Sequence, residues 1–565
     1  MTKGRYILIA AVAALAAFLV AFGPAPKRND GDTLIVTSMA APDSLDPGVS
    51  YQAVGWQILN NAYDGLLTYN RVGGPAGNTV IPDIAESMPK ISPDGKTYTL
   101  IVRKGVKFAP PVNRDVTASD VKYTFDRLAL LPTPAPFYHA IVGYDELAKS
   151  HKGTISGITA DNATGTVTFH IKQADATFLY ALAVNFASIV PKGTPARDLS
   201  QAGFVPGTGP YMLTKYQPGS LIELKRNPNY HQWSKAMPTG GVDGIDVKLG
   251  VSDENATTLI MQGKADLAFT AIPRSKWPFL KNSPAWKPYL HVNPGAITSY
   301  LYMNVHEAPF NNVKVRQAMN WAVDRRALIK LGGGAGTPTS NILPPLLPGG
   351  NHPSNPYPKV DMAKAKALIA SAGPLKKAVK IWYSSDPVSK DRAQYIQDVL
   401  QRLGFQARSQ ALDGSSYFQI VGNAASHAQI GFASWSADFP EATNFFSALL
   451  YGKTIDPKAS NNLAFYSGSD KEITRINKIS NLAQRNAAWS KLDGDMMAQQ
   501  APWIPYSSAV SRELVSKRVG NLYNHPVYDA ILSRITVDGT GTNNKDMHEG
   551  ELPIDNSTSS KGGNS

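Results

Sequence analysis

Cysteine is absent from the 565-residue chain, and histidine is sparse, with ten residues spread along it. Without cysteine the protein can form no disulfide, no thiolate nucleophile and no Cys-ligated zinc site. A lipid anchor on an N-terminal cysteine is excluded as well. The histidines form neither an HExxH motif nor a close pair, so we expect no metal site and no cofactor.

Long runs of one charge are also missing. Lys and Arg outnumber Asp and Glu by 56 to 43, which gives a net charge of +13. The basic residues are scattered, with no run of five, which argues against a nucleic-acid partner and fits a protein exported to an anionic cell surface.

Catalytic motifs are lacking too, since no G-x-S-x-G occurs. Ser119 and Lys122 form an S-x-x-K pattern, but the S-D-N and K-T-G elements that would accompany it in penicillin-binding enzymes are not there. Thr117 as an N-cap and Asp120 as its capping partner explain that stretch as a helix start. The sequence therefore predicts that the protein is not an enzyme.

Only one long uncharged hydrophobic run occurs, from Tyr6 to Phe22, between Lys3-Gly-Arg5 and Lys27-Arg28. This pattern predicts that residues 1–30 are an export signal or an uncleaved N-terminal anchor. The protein is then exported, and is either secreted or held at the extracellular face of the cell membrane. The polar residues 541–565 predict a disordered tail.

The remaining sequence alternates between strand and helix patterns. TLIVTS (33–38) and AITSYLYMNV (296–305) are typical of strands, and residues 313–334 carry a single helical apolar stripe. AVKIWYSS, DRAQYIQDVLQRLG and FQARSQAL, in that order, predict a βαβ unit with a parallel sheet. The apolar spacing of Ile58, Leu59, Ala62, Leu66 and Leu67 predicts one continuous helix. These patterns indicate a multi-domain α/β protein with a cleft between lobes.

Seven separated stretches, in order, resemble one protein family. They are SLDPGVSYQAVGWQILNNAYDGLL, PDIAESMPKISPDGKTYTLIVRKGVKF, TASDVKYTFDRL, GTGPYMLTKYQPGSLIELKRNPNYH, APFNNVKVRQAMNWAVDRRALI, DMAKAKALIASAG and SWSADFPEATNF. The chain is identified by them as a member of the peptide/nickel class (family 5) of extracellular solute-binding proteins of ABC transporters, oligopeptide/dipeptide-binding type. The missing lipoprotein cysteine adds a narrower likeness, to oligopeptide-binding proteins of clavulanic-acid-type biosynthetic clusters.

This resemblance implies an α/β, two-lobed periplasmic-binding-protein-like fold (hinged, type II, cluster C) with an additional subdomain inserted in the first lobe. Lobe I would comprise residues 31–63, 205–295 and 510–540, the inserted subdomain 64–204, and lobe II 296–509. The protein would be a monomer that captures oligopeptides or amino-acid-like amines in the cleft and passes them to the permease subunits of an ABC importer. Two alternatives stay open: a non-peptide solute such as an oligosaccharide or metal chelate, and an accessory protein or enzyme of extracellular or antibiotic metabolism on the same fold.

Asp438 is the candidate ligand anchor. It lies among aromatic residues, and no Lys or Arg occurs between Arg408 and Lys453. A carboxylate in such surroundings needs a positive partner, which a ligand amine would supply. By the resemblance, an aspartate in a W-x-x-D-[YF] stretch accepts the α-ammonium group of the ligand, and Asp438 is the matching residue. The competing hypothesis is that Asp438 caps a helix beginning near Pro440.

Further ligand-binding residues follow from the resemblance with less support from the residues alone. The backbone at Ser434 and Ser436 would pair with an extended peptide, and Trp435 and Phe439 would line a side-chain pocket or belong to the core. Gln52, Ala53 and Val54 would face the ligand from lobe I. Phe432 stands where some relatives carry an arginine that holds the carboxylate of a short peptide, so the mode of carboxylate capture here is open.

Overall fold

The structure is a computed structural model of the chain, and it describes residues 32–131, 137–175, 177–351, 354–479 and 481–538. The predicted export signal or anchor and the predicted disordered tail lie outside these residues. In the described part of the chain, none of the helices combines the length and the apolar character needed to cross a bilayer.

The strands follow the chain in this order: β1 (Thr33–Thr37), β2 (Leu67–Tyr69), β3 (Val80–Pro82), β4 (Lys90–Ile91), β5 (Thr97–Ile101), β6 (Ile158–Asp161), β7 (Thr166–His170), β8 (Tyr211–Gln217), β9 (Leu221–Arg226), β10 (Gly244–Lys248), β11 (Leu267–Ala268), β12 (Leu290–Met303), β13 (Ala378–Ser384), β14 (Gln406–Leu412), β15 (Ile430–Ser436), β16 (Trp503–Leu514), β17 (Asn524–His525) and β18 (Asp529–Ala530).

The α-helices follow in this order: α1 (Ala53–Leu59), α2 (Ala118–Leu130), α3 (Tyr144–Ser150), α4 (Phe178–Ala181), α5 (Asp253–Met261), α6 (Trp277–Asn282), α7 (Val313–Ala322), α8 (Arg325–Leu331), α9 (Met362–Ala370), α10 (Pro387–Arg402), α11 (Tyr417–Val421), α12 (Thr443–Leu449), α13 (Asp470–Asn477) and α14 (Leu482–Gln499).

Two five-stranded sheets form the two lobes. The sheet of lobe I has the order β11-β1-β10-β9-β8, and the sheet of lobe II has the order β14-β13-β15-β12-β16. A four-stranded antiparallel sheet, β4-β5-β7-β6, belongs to the subdomain inserted between β1 and β8. Because each sheet packs its own apolar cluster, the molecule has separate cores.

The long strands β12 and β16 connect the lobes. They pair antiparallel from Leu290 opposite Leu514 to Tyr302 opposite Trp503. Leu514 packs in a cluster with Ile35 of lobe I, whereas Trp503 belongs to a core cluster of lobe II. Their pairing is irregular between Pro294 and Thr298, close to the predicted boundaries at 295/296 and 509/510, and the domain boundaries stated above stay a prediction.

Several local predictions are confirmed. β13, α10 and β14 form the βαβ unit, and β13 pairs parallel with β14 from Ala378 to Ser384. Helix α2 begins after Thr117, whose backbone N–H donates to the Asp120 carboxylate at 2.8 Å. Lys122 in the same helix donates to the backbone carbonyls of Ile155 and Ile158, which gives this lysine of the S-x-x-K pattern a structural role.

Two helix predictions are wrong in extent. The helix expected from Ile58 to Leu67 ends at Leu59, and Leu67 starts strand β2. The helix expected over residues 313–334 is split into α7 and α8. Asp324 between them accepts hydrogen bonds from the N–H groups of Arg326 and Ala327 and so starts a new helix.

Candidate functional site

The candidate site lies where residues 437–442, here called the aspartate loop, leave strand β15 and approach the first lobe. The Tyr51 hydroxyl donates to Asp438 Oδ1 at 3.2 Å. Tyr51 directly precedes Gln52, Ala53 and Val54, so the structure brings two of the predicted regions together across the cleft.

Tyr51 is positioned by its own turn. Its backbone N–H donates to Asp43 Oδ2 at 2.8 Å, and the Ser50 hydroxyl donates to Asp43 Oδ1 at 2.9 Å. The Trp56 indole N–H donates to the Ser50 carbonyl at 2.8 Å. These bonds fix the segment that begins α1, and they leave Tyr51 43% exposed.

Asp438 is held by neutral donors. Asn444 on α12 donates from Nδ2 to Asp438 Oδ2 at 3.0 Å, while its Oδ1 accepts the Asp438 backbone N–H at 3.1 Å. Burial raises the pKa of Asp438, and the hydrogen bonds from Asn444 and Tyr51 oppose that rise. Among the residues that the structure describes, no cationic side chain forms an ion pair with Asp438. The carboxylate is therefore desolvated, and the described part of the chain gives it no counter-charge.

The negative charge of Glu441, three residues after Asp438, is balanced by a basic side chain of the protein itself. Glu441 Oε1 lies 3.1 Å from Arg485 Nε of α14, and both side chains are buried. The backbone N–H of Thr443 donates to Glu441 Oε2 at 2.6 Å, at the start of α12. Because α12 begins at Thr443 and Glu441 accepts this bond, the hypothesis that Asp438 caps a helix near Pro440 is wrong.

The aromatic residues around Asp438 come from both sides of the cleft. Phe439 lies with its ring centroid 5.8 Å from that of Tyr180 in a stacked arrangement and 6.1 Å from that of Phe137 in an edge-on one. The Tyr51 ring lies 5.5 Å from that of Phe186. The Trp435 indole donates to Asn444 Oδ1 at 2.8 Å and is half-buried. Phe439 of lobe II thus packs against the core of the inserted subdomain.

Strand β15 has a free edge next to Asp438. On one side it pairs with β12 along its whole length, from Ile430 to Ser436. On the other side its pairing with β13 covers only Ile430 and Gly431. Within the described ranges no strand pairs with residues 432–436 on that side, and Ser434 and Ser436 are exposed. An extended peptide could add here as a further strand.

The remaining predicted residues take different places. Gln52 and Ala53 are exposed at the start of α1, whereas Val54 is half-buried and packs against the core of lobe I. Phe432 is 9% exposed and packs in a core cluster of lobe II, and its carbonyl accepts the Tyr417 hydroxyl at 2.9 Å. The Phe432 side chain is thus a core side chain in this structure, and a role in carboxylate capture has no support from its position.

Two residues of the site, Tyr51 and Asn444, were missed by the sequence reasoning. Tyr51 adjoins the predicted Gln52, but nothing in the sequence indicates that its hydroxyl reaches a residue 387 positions away. Asn444 follows Asp438 by six positions. An amide side chain directly before the aromatic pair Phe445-Phe446 was the available signal.

Comparisons with known proteins agree with this architecture. The family model described as bacterial extracellular solute-binding proteins, family 5 Middle, matches residues 79–456. Heme-binding protein A of Haemophilus influenzae is 29% identical over 545 residues, covering 91% of this chain and 94% of that protein. Glutathione-binding protein GsiB of Salmonella choleraesuis is 28% identical over 518 residues, covering 90% and 94%.

Among solved structures, clavulanic acid biosynthesis oligopeptide binding protein 2 superposes with a TM-score of 0.82. It is 22% identical, and the match covers 91% of this chain and 96% of that chain. At this identity the likeness concerns the fold. It confirms the two-lobed architecture that the sequence motifs implied, and all three proteins are named for binding a ligand.

Proposed function

Because the chain belongs to the bacterial extracellular solute-binding proteins of family 5, we propose that it captures a peptide or amino-acid-like amine in the cleft and delivers it to the permease of an ABC importer. The protein would act outside the cell membrane, as a monomer without catalytic turnover. Asp438 would receive the ammonium group of the ligand.

The observation that carries this proposal is the uncompensated Asp438. A desolvated carboxylate with two neutral donors and no counter-charge is completed by a cation that arrives with the ligand. Glu441 provides an internal comparison, because the fold itself supplies Arg485 to that acid. The free edge of β15 would hold the peptide backbone and so leave side-chain choice to the surrounding aromatic residues.

The test is calorimetry with one short peptide and its N-acetylated twin. Acetylation removes the ammonium group, so we expect the free peptide to bind and the acetylated one to bind far more weakly. Asp438→Asn should lower the affinity for the free peptide by roughly 2–5 kcal/mol, because the buried ammonium loses its charge partner.

Asp398→Asn is the matched control, since Asp398 is an exposed aspartate of the same lobe paired with Arg402. It should bind the free peptide like the parent protein. Equal affinity of Asp438→Asn and the parent would refute the role of Asp438. Equal binding of both peptides would favour a neutral solute, which is the open alternative.

A further inference from the structure

Helices α7 and α9 lie side by side and antiparallel on lobe II. The Asn312 amide before α7 donates to the Ala372 carbonyl after α9 at 3.0 Å. At the other end, the backbone N–H of Asp361, which precedes α9, donates to the Trp321 carbonyl of α7 at 2.8 Å. The two helices thus form one outer layer of the lobe.

This layer covers one face of the lobe II sheet, and the helix next to Asp438 covers the other. Leu301 of β12 belongs to the same core cluster as Val315 of α7 and Ala365 of α9. Its neighbour Tyr300 projects to the opposite side of the sheet and belongs to the cluster that contains Phe445 of α12. The outward surface of α7 and α9 is therefore separate from the aspartate loop.

The outward surface of this layer is basic. Between Ala308 and Ser384 the acids are Asp324 and Asp361 alone, and each caps the start of a helix. Exposed lysines on α7, on α9 and on the segments that flank α9 are here called the lysine face: Lys314, Lys359, Lys364, Lys366, Lys376 and Lys377. In the part of the chain that the structure describes, none of these lysines forms an ion pair. Their positive charge is therefore available to a partner.

Aromatic and aliphatic side chains lie among these lysines. Lys364 Nζ lies 3.8 Å from the centroid of the Trp321 ring, and the Trp321 ring meets that of Tyr357 edge-on at 5.2 Å. Trp321 is half-buried, and Val360, which follows Lys359, is 44% exposed. Lysines around a partly exposed indole and an exposed aliphatic side chain are typical of surfaces that lie against a bilayer interface.

The chemistry of the lysine face favours a lipid surface over an acidic protein. Lysine is depleted in protein–protein interfaces, where arginine is preferred because it pairs with carboxylates in a bidentate geometry. A lysine ammonium is a compact charge that a layer of phosphate headgroups attracts without a fixed geometry. Helix α9 is about 14 Å long, so the lysines on and around it spread over an area that several headgroups can contact at once.

We infer that the lysine face docks on anionic phospholipid headgroups at the outer surface of the cell membrane. Docking through this face would leave the aspartate loop uncovered, because the two lie on opposite sides of the lobe II sheet. The protein could then receive a ligand while it is attached to the membrane. This inference does not depend on the identity of the ligand, so it holds or fails separately from the proposed function.

The test is acetylation of lysines in the full chain, read by mass spectrometry, in the presence of vesicles. One set of vesicles is pure phosphatidylcholine, and the other is an equal mixture of phosphatidylcholine and phosphatidylglycerol. The apolar run from Tyr6 to Phe22 can hold the chain on both sets, so their comparison isolates the effect of charge. On the mixed vesicles we expect acetylation of the lysine face to fall at least about fivefold. Lys96 and Lys152, exposed on the inserted subdomain, should react as they do on pure phosphatidylcholine.

A variant tests the same surface by affinity. Lys359→Gln/Lys364→Gln/Lys366→Gln/Lys376→Gln/Lys377→Gln should reduce the preference for mixed vesicles over pure phosphatidylcholine at least about tenfold in a sedimentation assay. Lys314 is kept, because its Nζ donates to the Ser371 carbonyl. Circular dichroism checks that the variant is folded.

The matched control removes the same charge from exposed lysines of the inserted subdomain: Lys90→Gln/Lys96→Gln/Lys104→Gln/Lys107→Gln/Lys152→Gln. It should keep the preference of the parent protein for mixed vesicles. An equal loss of preference in both variants would overturn the inference, because net charge alone would then explain the attraction.

Equal acetylation of the lysine face on both sets of vesicles would also overturn it as a docking surface. Soluble polyglutamate at the same concentration of negative charge serves as a further probe. If polyglutamate protected the lysine face more strongly than mixed vesicles did, the partner would be an acidic protein and the lipid assignment would be wrong. None of these outcomes changes the affinity of a peptide for the cleft, so the proposed function is judged by the N-acetylated peptide alone.

Discussion

At the scale of single residues, the two acids of the SWSADFPEATNF stretch illustrate what sequence can predict. Both lie among aromatic residues with no basic neighbour in the chain. Glu441 nevertheless receives Arg485, which is 44 positions away and belongs to another helix. Among the residues that the structure describes, Asp438 receives only neutral donors. Long-range ion pairs leave no local signal in the sequence. The family motif was therefore needed to single out Asp438 as the acid that lacks a counter-charge.

Tyr51→Phe tests whether the tyrosine hydroxyl supports the ionised form of Asp438. Without this donor the pKa of Asp438 should rise further, because a hydrogen bond to the carboxylate favours its charged form. Amine binding needs the charged form of Asp438. As the pH is lowered, the variant should therefore lose amine binding at a higher pH than the parent does. At neutral pH we expect affinity for a free-amine peptide to fall by about tenfold or more, from the loss of one bond to a charged group.

The measurement is peptide affinity by calorimetry between pH 4 and pH 8. Tyr123→Phe is the control, because it also removes one tyrosine hydroxyl bond, to the Thr194 carbonyl, at a site away from Asp438. An unchanged pH profile for Tyr51→Phe would mean that the hydroxyl contact does not influence the Asp438 carboxylate.

At the scale of elements, local sequence patterns predicted whether a segment forms a helix or a strand better than they predicted where that element begins and ends. The βαβ unit and the start of α2 carry their signals in contiguous residues, namely apolar periodicity and a capping pair. The break between α7 and α8 was missed because the apolar stripe continues across it. The full length of β12 was missed because residues 290–294 pair with β16, whose sequence lies more than 200 positions away.

The aspartate loop and α12 depend on the buried pair of Glu441 and Arg485. Arg485→Met should destabilise the protein by about 3–5 kcal/mol, because it leaves Glu441 buried without a counter-charge. Urea denaturation followed by circular dichroism measures the loss. The double variant Arg485→Met/Glu441→Gln should recover a substantial part of it. If the single and double variants were equally unstable, packing of the arginine rather than its charge would dominate.

At the scale of the whole molecule, the contacts across the cleft link the lobes in the structure as described. Besides the bond between Tyr51 and Asp438, Asn78 of the inserted subdomain donates to the Leu346 carbonyl of lobe II at 2.7 Å. Phe439 adds an apolar contact with Phe137 and Tyr180. None of these contacts could be predicted from the sequence, because each joins segments that meet only when the folded lobes lie against each other.

Phe439→Ala should therefore shift the ligand-free protein toward a more open arrangement. Each aromatic pair is worth about 0.5–1.5 kcal/mol beyond its buried area, so losing two pairs changes the balance between closed and open forms by about tenfold or more. Small-angle X-ray scattering should show a larger radius of gyration for the variant without ligand. Saturating peptide should restore the parent value, because the ligand binds between the lobes and favours closure.

Phe418→Ala is the matched control for this comparison, since Phe418 is 55% exposed on lobe II. It should leave the scattering curve of the ligand-free protein unchanged. If Phe439→Ala also left the curve unchanged while weakening peptide binding, Phe439 would act as a wall of the ligand pocket and not as a contact that holds the lobes together. In that case the ligand-bound variant would reach the closed form that an importer recognises, as the parent does. If instead the equilibrium were shifted and closure stayed incomplete at saturating ligand, delivery of the ligand would fall.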